Sequence, residues 1–211
     1  MMKQRIYITS SLLLTLLPII VLAAPTVASI QQQWSVCQYA TLSAQKKNCL
    51  KALSQQVHTQ VAQQQNKNAD WLIWSGIVDS TLAGEEGGLT GLGLVKQARQ
   101  ALEASLKLDP QALSGSAWTS LGVLYYQVPG WPIGFGDKDK AREYLNKALA
   151  LNPDGIDPNY FYGDFLLNTG NKTEARRYLE KALKAPARPG RELADNGRRK
   201  EIEHDLAQLE Q

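Results

Sequence analysis

The sequence predicts an all-α fold, an α-solenoid of about three helix pairs with capping helices at its N- and C-terminal ends. The first observation behind this is a ladder of small residues and leucines that recurs three times without a slip. Ala98, Leu102, Ser105 and Leu106 precede Asp109-Pro110; Ala141, Leu145, Ala148 and Leu149 precede Asn152-Pro153; Ala175, Leu179, Ala182 and Leu183 precede Pro186. Positions i, i+4, i+7 and i+8 share one face of an α-helix. The small residues let a neighbouring helix approach, the leucines fill the space beside it, and proline ends the element. The second observation is a glycine upstream of each ladder, Gly76, Gly122 and Gly163, inside a stretch that reads as the first helix of a pair.

Residues 1–28 read as a secretory signal. Lys3 and Arg5 open it, an apolar run follows from Ile6 to Leu22, and small residues then allow cleavage after Ala23 or after Ala28. The competing reading is an uncleaved anchor, since the run is near the lower length limit for a membrane span. Pro18 and the Ala24-Pro25-Thr26-Val27-Ala28 stretch favour processing. No cysteine follows either site directly, so a lipoprotein is not expected. The expected location is therefore periplasmic or secreted, with no membrane contact after cleavage. The formal charge of +3 includes Lys3 and Arg5; beyond residue 28, 21 basic residues face 20 acidic ones. A near-neutral chain has no bulk attraction for nucleic acid or anionic membrane.

Residues 29–68 predict a helical hairpin that caps the first pair, with Trp34, Val36, Leu50, Leu53 and Val57 as apolar points. Cys37 and Cys49 are its cysteines, and in an oxidising compartment the default is that they pair. One unbroken helix would hold them about 18 Å apart, beyond disulfide reach. A bridge therefore needs a turn, which Thr41-Leu42-Ser43 offers, with Ser43 as an N-cap for the second helix. The alternative is two small buried residues on separate helix faces.

The pairs are expected over residues 69–110, 115–153 and 157–187. The second resembles the tetratricopeptide repeat, a helix pair of about 34 residues. Trp118, Leu121, Gly122 and Tyr125 stand at its first-helix signature positions, and Ala141, Leu145, Ala148 and Pro153 at the second-helix ones. The third keeps Tyr162, Gly163, Ala175 and Ala182 but has Ala187 where the terminal proline belongs; the first has Leu72 for tryptophan and Ser105 for alanine. Gly163 and Ala175 are 12 residues apart, Gly122 and Ala141 are 19, and Gly76 and Ala98 are 22. The excess falls in glycine-rich stretches, residues 84–93 and 128–137, which predict loops crowding one edge of the array. Asp137 reads as the N-cap of the helix after the second stretch.

At the C-terminus, residues 188–211 predict a capping helix with Ile202, Leu206 and Leu209 on one face. Arg198, Arg199, Glu201 and Asp205 opposite them read as solvated.

No signature of an enzyme is present, and no cofactor or metal is expected. His58 and His204 lie on separate predicted helices without a second histidine at metal spacing, so exposed or cap-packing roles are expected of them. No nucleophile elbow occurs, and residues 88–93 lack both the glycine order and the βαβ setting of a dinucleotide loop. The remaining function is binding. In a tetratricopeptide array the first helices line the concave groove, which places Asp70, Ile73, Thr119, Tyr126, Gln127, Tyr160, Asp164 and Asn168 there. This set is mildly acidic and lacks a basic clamp, so it suits a neutral or cationic peptide of a protein partner; the alternative is a groove filled by the chain's own terminal helix. Trp131 and Phe135 form a second candidate, either packed onto their own helix pair or presented to a partner.

A narrower resemblance rests on Tyr125-Tyr126-Gln127-Val128-Pro129-Gly130-Trp131-Pro132, on Gly136-Asp137 and Lys140-Ala141-Arg142, on Asp157 to Phe165, and on Arg188-Pro189-Gly190-Arg191-Glu192. These are similar to a bacterial tetratricopeptide subgroup, the TatT accessory component of tripartite ATP-independent periplasmic (TRAP) transporters. The resemblance covers roughly residues 69–205. It implies an exported helical-repeat protein that engages a periplasmic solute-binding partner, a homo-oligomeric state, and cavities open to ligand. The chain departs from it in having no lipoprotein cysteine, so it does not carry over membrane anchoring.

Overall fold

A computed structural model describes residues 24–64 and 68–210, so most of the expected leader, residues 1–23, lies outside the described residues. Among the described residues the regular structure is helical throughout. The order is α1 (Val27–Ser35), running into a π-helical turn at Val36–Ala40, then α2 (Ser43–Gln63), α3 (Ala69–Glu86), α4 (Gly88–Leu108), α5 (Ala112–Gln127), α6 (Lys138–Leu151), α7 (Ile156–Asn168), α8 (Lys172–Leu183) and α9 (Glu192–Gln208). Helices α3/α4, α5/α6 and α7/α8 form hairpins that stack through α4 on α5 and α6 on α7, with α3, α5 and α7 as neighbours along the inner side. This is a tetratricopeptide-like α-solenoid.

The repeated glycines and leucines explain the pairing. A Cβ on Gly76 would lie 2.5 Å from Leu102 Cγ, one on Gly122 2.6 Å from Leu145 Cγ, and one on Gly163 2.9 Å from Leu179 Cγ. Each first helix therefore presses its bare backbone against the leucine of the second. Ala98, Leu102, Ala141, Leu145, Ala148, Ala175, Leu179 and Ala182 are fully buried in these seams. Burying each leucine contributes about 1.5–3 kcal/mol. Ser105 tolerates the same position because its hydroxyl donates to the Leu102 carbonyl at 2.7 Å. Asn68, Asp137 and Asn171 cap α3, α6 and α8 with side-chain oxygens that accept first-turn amides.

In the N-terminal hairpin Cys37 and Cys49 are disulfide-bonded, with Cα atoms 5.5 Å apart. The π turn and Thr41-Leu42 fold the chain back between them. Ser43 does not cap α2 as expected: Leu42 occupies the cap position and no side chain caps the helix. Ser43 is instead the first helical residue. The hairpin docks on α3 through a buried carboxylate, Asp79, which accepts from Ser54 Oγ at 2.7 Å and lies 2.8 Å from His58 Nε2. His58 is thus an ion-pair partner, and that bond raises its pKa, outweighing its partial burial.

Two further expectations need correction. Residues 84–93 do not form a loop; α3 and α4 extend through them and turn at Gly87 and Gly88, whose φ values are 65° and 54°. Two glycines suffice for the turn, while Gly91 faces the Ala83 carbonyl so closely that a Cβ would stand 2.9 Å from it. The glycines there serve close helix approach as much as chain reversal. The stretch at 128–137, by contrast, is a loop, folded back by bonds from Gly136 N to Pro129 O (2.9 Å) and from Asp137 N to Tyr125 O (2.8 Å). The second correction concerns α9. Its Ile202 is buried against α7 and α8, as a capping stripe requires, but Arg198 on the charged side is buried too. Arg198 stands four residues before Ile202 and so shares its inward face, and α9 also packs on α1 and the π turn.

Candidate functional site

The inner helices α1, α3, α5 and α7 surround a cavity of about 650 Å³, and α9 with the turn before it lines the remaining side. Such a volume is usual for a ligand pocket. The two ends of the described chain meet on its rim, where Gly197 of α9 lies so close to the Tyr39 ring that any side chain there would collide. Tyr39 also donates to Glu201 at 3.3 Å.

One wall is aromatic. Trp34 meets Trp74 edge-on at 5.9 Å and Tyr39 at 5.7 Å, and its indole N–H donates to Thr81 Oγ1 at 2.9 Å. Facing residues include Tyr160 and Phe161, whose rings are 4.9 Å apart. A third part of the lining is a distorted entry to α5. Leu113 and Ser114 have left-handed backbone, φ 48° and 54°, and Gly115 follows at 79°. Side chains rarely adopt this region, and such strain tends to gather at binding sites. Gly115 suits this position because its φ of 79° is one that side chains rarely adopt. The helix is regular only from Ser116 onward.

The base of the site is an ion-pair network. Asp157 at the start of α7 accepts from Arg188 Nη1 at 2.6 Å and from Arg198 Nε at 2.9 Å. Arg188 also holds Asp195 at 2.6 Å, and Arg198 holds Glu201. Burial would raise the Asp157 pKa, but Arg198 and Arg188 overcome it and hold the carboxyl down at about 2. Burial likewise opposes the charge on Arg198, yet Tyr39, Asp157 and Glu201 carry its pKa upward. The Arg198 guanidinium stacks over Tyr160 and Phe161, 4.5 and 4.4 Å from their centroids. Arg191 stands apart, its guanidinium 5.3 Å from the Trp74 ring centroid.

Of the groove residues expected from the sequence, Thr119, Gln127 and Tyr160 line the cavity. Asp70, Ile73, Tyr126, Asp164 and Asn168 do not. Ile73 is fully buried in the seam of the first pair. Asp70 lies in the first turn of α3 and donates its amide to Asn68. Tyr126 donates to Asp164, which Asn168 also holds at 2.8 Å, so this trio bridges α5 and α7. Burial is the main cause that lifts the Tyr126 and Asp164 pKa values. The loop pair is split. Phe135 packs edge-on against Tyr125 at 5.4 Å beneath the Arg99 guanidinium, whereas Trp131 is 90% exposed.

The set expected from the first helices contains no basic side chain, and the cavity wall adds three from elsewhere, Arg188, Arg191 and Arg198. The first two belong to the turn after the last repeat and the third to α9, so counting along the first helices could not find them. The available signal was the alternation of Arg188, Arg191, Asp195, Arg198 and Glu201 at helix-like spacing. Among the described residues no three His, Cys, Asp or Glu side chains gather as a metal site, and no helix is long and apolar enough to cross a membrane.

Residues 133–192 match a family profile described as Tetratricopeptide repeat. The match runs from the second-pair loop through α6, α7 and α8 to the first residue of α9. No curated protein matches the chain. Fold and match together point to the tetratricopeptide class, whose stacked helix pairs generally serve as scaffolds for protein–protein interaction.

Proposed function

We propose that this chain is an exported, non-catalytic scaffold that holds a protein partner in the cavity enclosed by α3, α5, α7 and α9. The observation that carries this is the cavity itself: the inner helices of all three pairs contribute to it, and its wall combines aromatic and charged side chains. Periplasmic or secreted placement is supported by the leader-like residues 1–28 and by the Cys37–Cys49 disulfide. Cleavage after Ala23 fits the fold better than cleavage after Ala28. Thr26 caps α1 in a reciprocal pair with Ser29, and Ala28 lies within the first turn. Losing such a cap costs about 1 kcal/mol. Intact mass of the exported protein should therefore show Ala24 as its first residue.

A second reading is favoured by the rim, where α9 packs on α1 beside the cavity. In it the protein is a TRAP-transporter accessory component that contacts a small ligand or a solute-binding partner. Capture from periplasmic extract separates the readings. Loss of a protein partner in Tyr160→Ala, with retention in Trp131→Ala, is the expected result. Loss only in Trp131→Ala would move recognition to the exposed loop and refute the cavity. A small molecule that co-purifies with wild type but not with Tyr160→Ala would support the transport reading.

A further inference from the structure

Single exposed apolar residues are ordinary, but several brought to one place mark a contact surface. Among the described residues the four most exposed large apolar side chains are Trp131 (90%), Leu89 (88%), Leu42 (72%) and Ile133 (63%). All four stand on connections at one edge of the solenoid. Leu42 joins the π turn to α2, Leu89 follows the turn between α3 and α4, and Trp131 and Ile133 belong to the loop between α5 and α6. Contacts hold these connections together at that edge. Lys46 and Lys47 at the start of α2 pair with Glu85 and Glu86 at the end of α3, and Phe135 of the loop lies under Arg99 of α4. At the other edge the exposed leucines, Leu108 and Leu151, are half-covered and stand in connections that carry Asp109 and Asp154.

The loop holds its tip outward. Phe135 anchors it on Tyr125, and the Ile133 and Gly134 amides both donate to the Gly130 carbonyl, at 3.2 and 3.1 Å. A Cβ on Gly134 would collide with the Pro129 carbonyl, and one on Gly136 with that of Val128, so the two limbs of the loop touch. Trp131 therefore projects from a closed turn and does not fold down beside Phe135. No charged residue occurs within 36–45, 87–95 or 127–136. Behind the tips the acids are engaged, Glu85 and Glu86 by the α2 lysines and Asp137 by the Asp139 and Lys140 amides that it caps. Beyond these pairs Lys96, Lys138 and Lys140 are exposed against Asp139, which leaves a net positive collar.

We propose that this edge rests on a lipid bilayer, with Trp131, Ile133, Leu89 and Leu42 in the boundary between headgroups and acyl chains and the lysine collar at anionic headgroups. Tryptophan favours that boundary, because its ring is apolar while its N–H still meets water or a headgroup. The tips come from three separate connections. A bilayer receives them without matching their shape, whereas a protein partner would need a pocket for each. The near-neutral chain has no bulk pull toward a membrane. Insertion of apolar tips needs none, and the collar adds a local attraction. None of the four tips lines the cavity, so this contact is independent of the cavity reading.

The test is co-sedimentation of residues 24–211, which hold every described residue, with vesicles of phosphatidylcholine alone and mixed with phosphatidylglycerol. Trp131→Ala should lower partition by about tenfold, and the pair Leu42→Ser and Leu89→Ser by a similar factor. The pair Lys138→Gln and Lys140→Gln should lower it by about fivefold, on the mixed vesicles only. Leu108→Ser at the other edge should leave it unchanged, with folding of every variant checked by circular dichroism. Trp131→Phe should keep most of the binding yet remove the quenching of tryptophan fluorescence by brominated lipid. Absence of vesicle binding, or equal binding by folded Trp131→Ala and the leucine pair, overturns the proposal. Quenching that persists in Trp131→Phe would put another surface in the bilayer and overturn it as well. So would a protein captured from extract, or a self-associated species in sedimentation velocity, that Trp131→Ala abolishes while no vesicle is bound, because the edge would then belong to a polypeptide.

Discussion

The seams between paired helices and the rim of the cavity are built on opposite principles. In the seams the repeated glycine, small-residue and first-leucine positions are buried and local to one hairpin, and the last leucine of each ladder is partly buried. At the rim, residues far apart in the chain, such as Tyr39 and Glu201, meet through charge and aromatic stacking. Apolar close packing stabilises in proportion to the surface it removes from water. Partly exposed ion pairs contribute little net stability but fix geometry. The difference teaches that stability resides in the seams, and that the proposed recognition site lies where the two ends of the described chain close on each other.

The largest effect expected from breaking this contrast is Leu145→Ala. It removes a fully buried side chain beside Gly122 and should cost about 2–5 kcal/mol, read as a lower midpoint of chemical denaturation. Cavity ligands should bind the residual folded protein unchanged. Next comes the Cys37–Cys49 disulfide, which ties the π turn after α1 to α2. Its removal by paired serine substitution should cost about 2–3 kcal/mol by loop-closure entropy, measured by the same titration.

Asp205 on α9 sharpens the comparison through pH. Burial, followed by the neighbouring Asp164 carboxylate, raises its pKa to about 6. A carboxyl with a raised folded pKa favours folding when protonated, so its contribution is present below the ordinary value of 3.8 and lost as pH rises through about 6. Asp205→Asn should therefore stabilise the protein at pH 7 by about 1 kcal/mol after discounting for its partial exposure, and the gain should vanish below pH 4. The smallest effect belongs to His58. Its raised pKa means that pairing with Asp79 stabilises fully below the unfolded value of 6.5 and fades as pH rises through the higher folded one. His58→Gln should remove that slope from melting temperature against pH, while Asp205→Asn leaves it in place.

The same contrast explains what could be read from the sequence. The ladders ending at Leu106, Leu149 and Leu183 announce paired helices because a seam repeats at fixed local spacing. Gly76, Gly122 and Gly163 mark the matching helix because each touches its own leucine. Arg198 and Ile202 are four residues apart and so share a face of α9, but periodicity does not show what each of them meets. Arg198 looked solvated because its partners, Asp157 and Tyr160, lie roughly 40 residues away in sequence. Glycine richness at 84–93 predicted a loop because composition cannot distinguish a flexible turn from close helix packing. Phe135 and Trp131 illustrate the same limit: both are aromatic, and only tertiary contact separates the buried ring from the exposed one.

Native-state hydrogen exchange on the protein, resolved by residue, tests the division most directly. Amides of α5 to α8 around Leu145 and Leu179 should exchange only through global unfolding, while those of α9 open at lower free energy in a separate step. Exchange of α9 in the same cooperative unit as α5 to α8 would contradict the account, because rim and seam would then be a single structure.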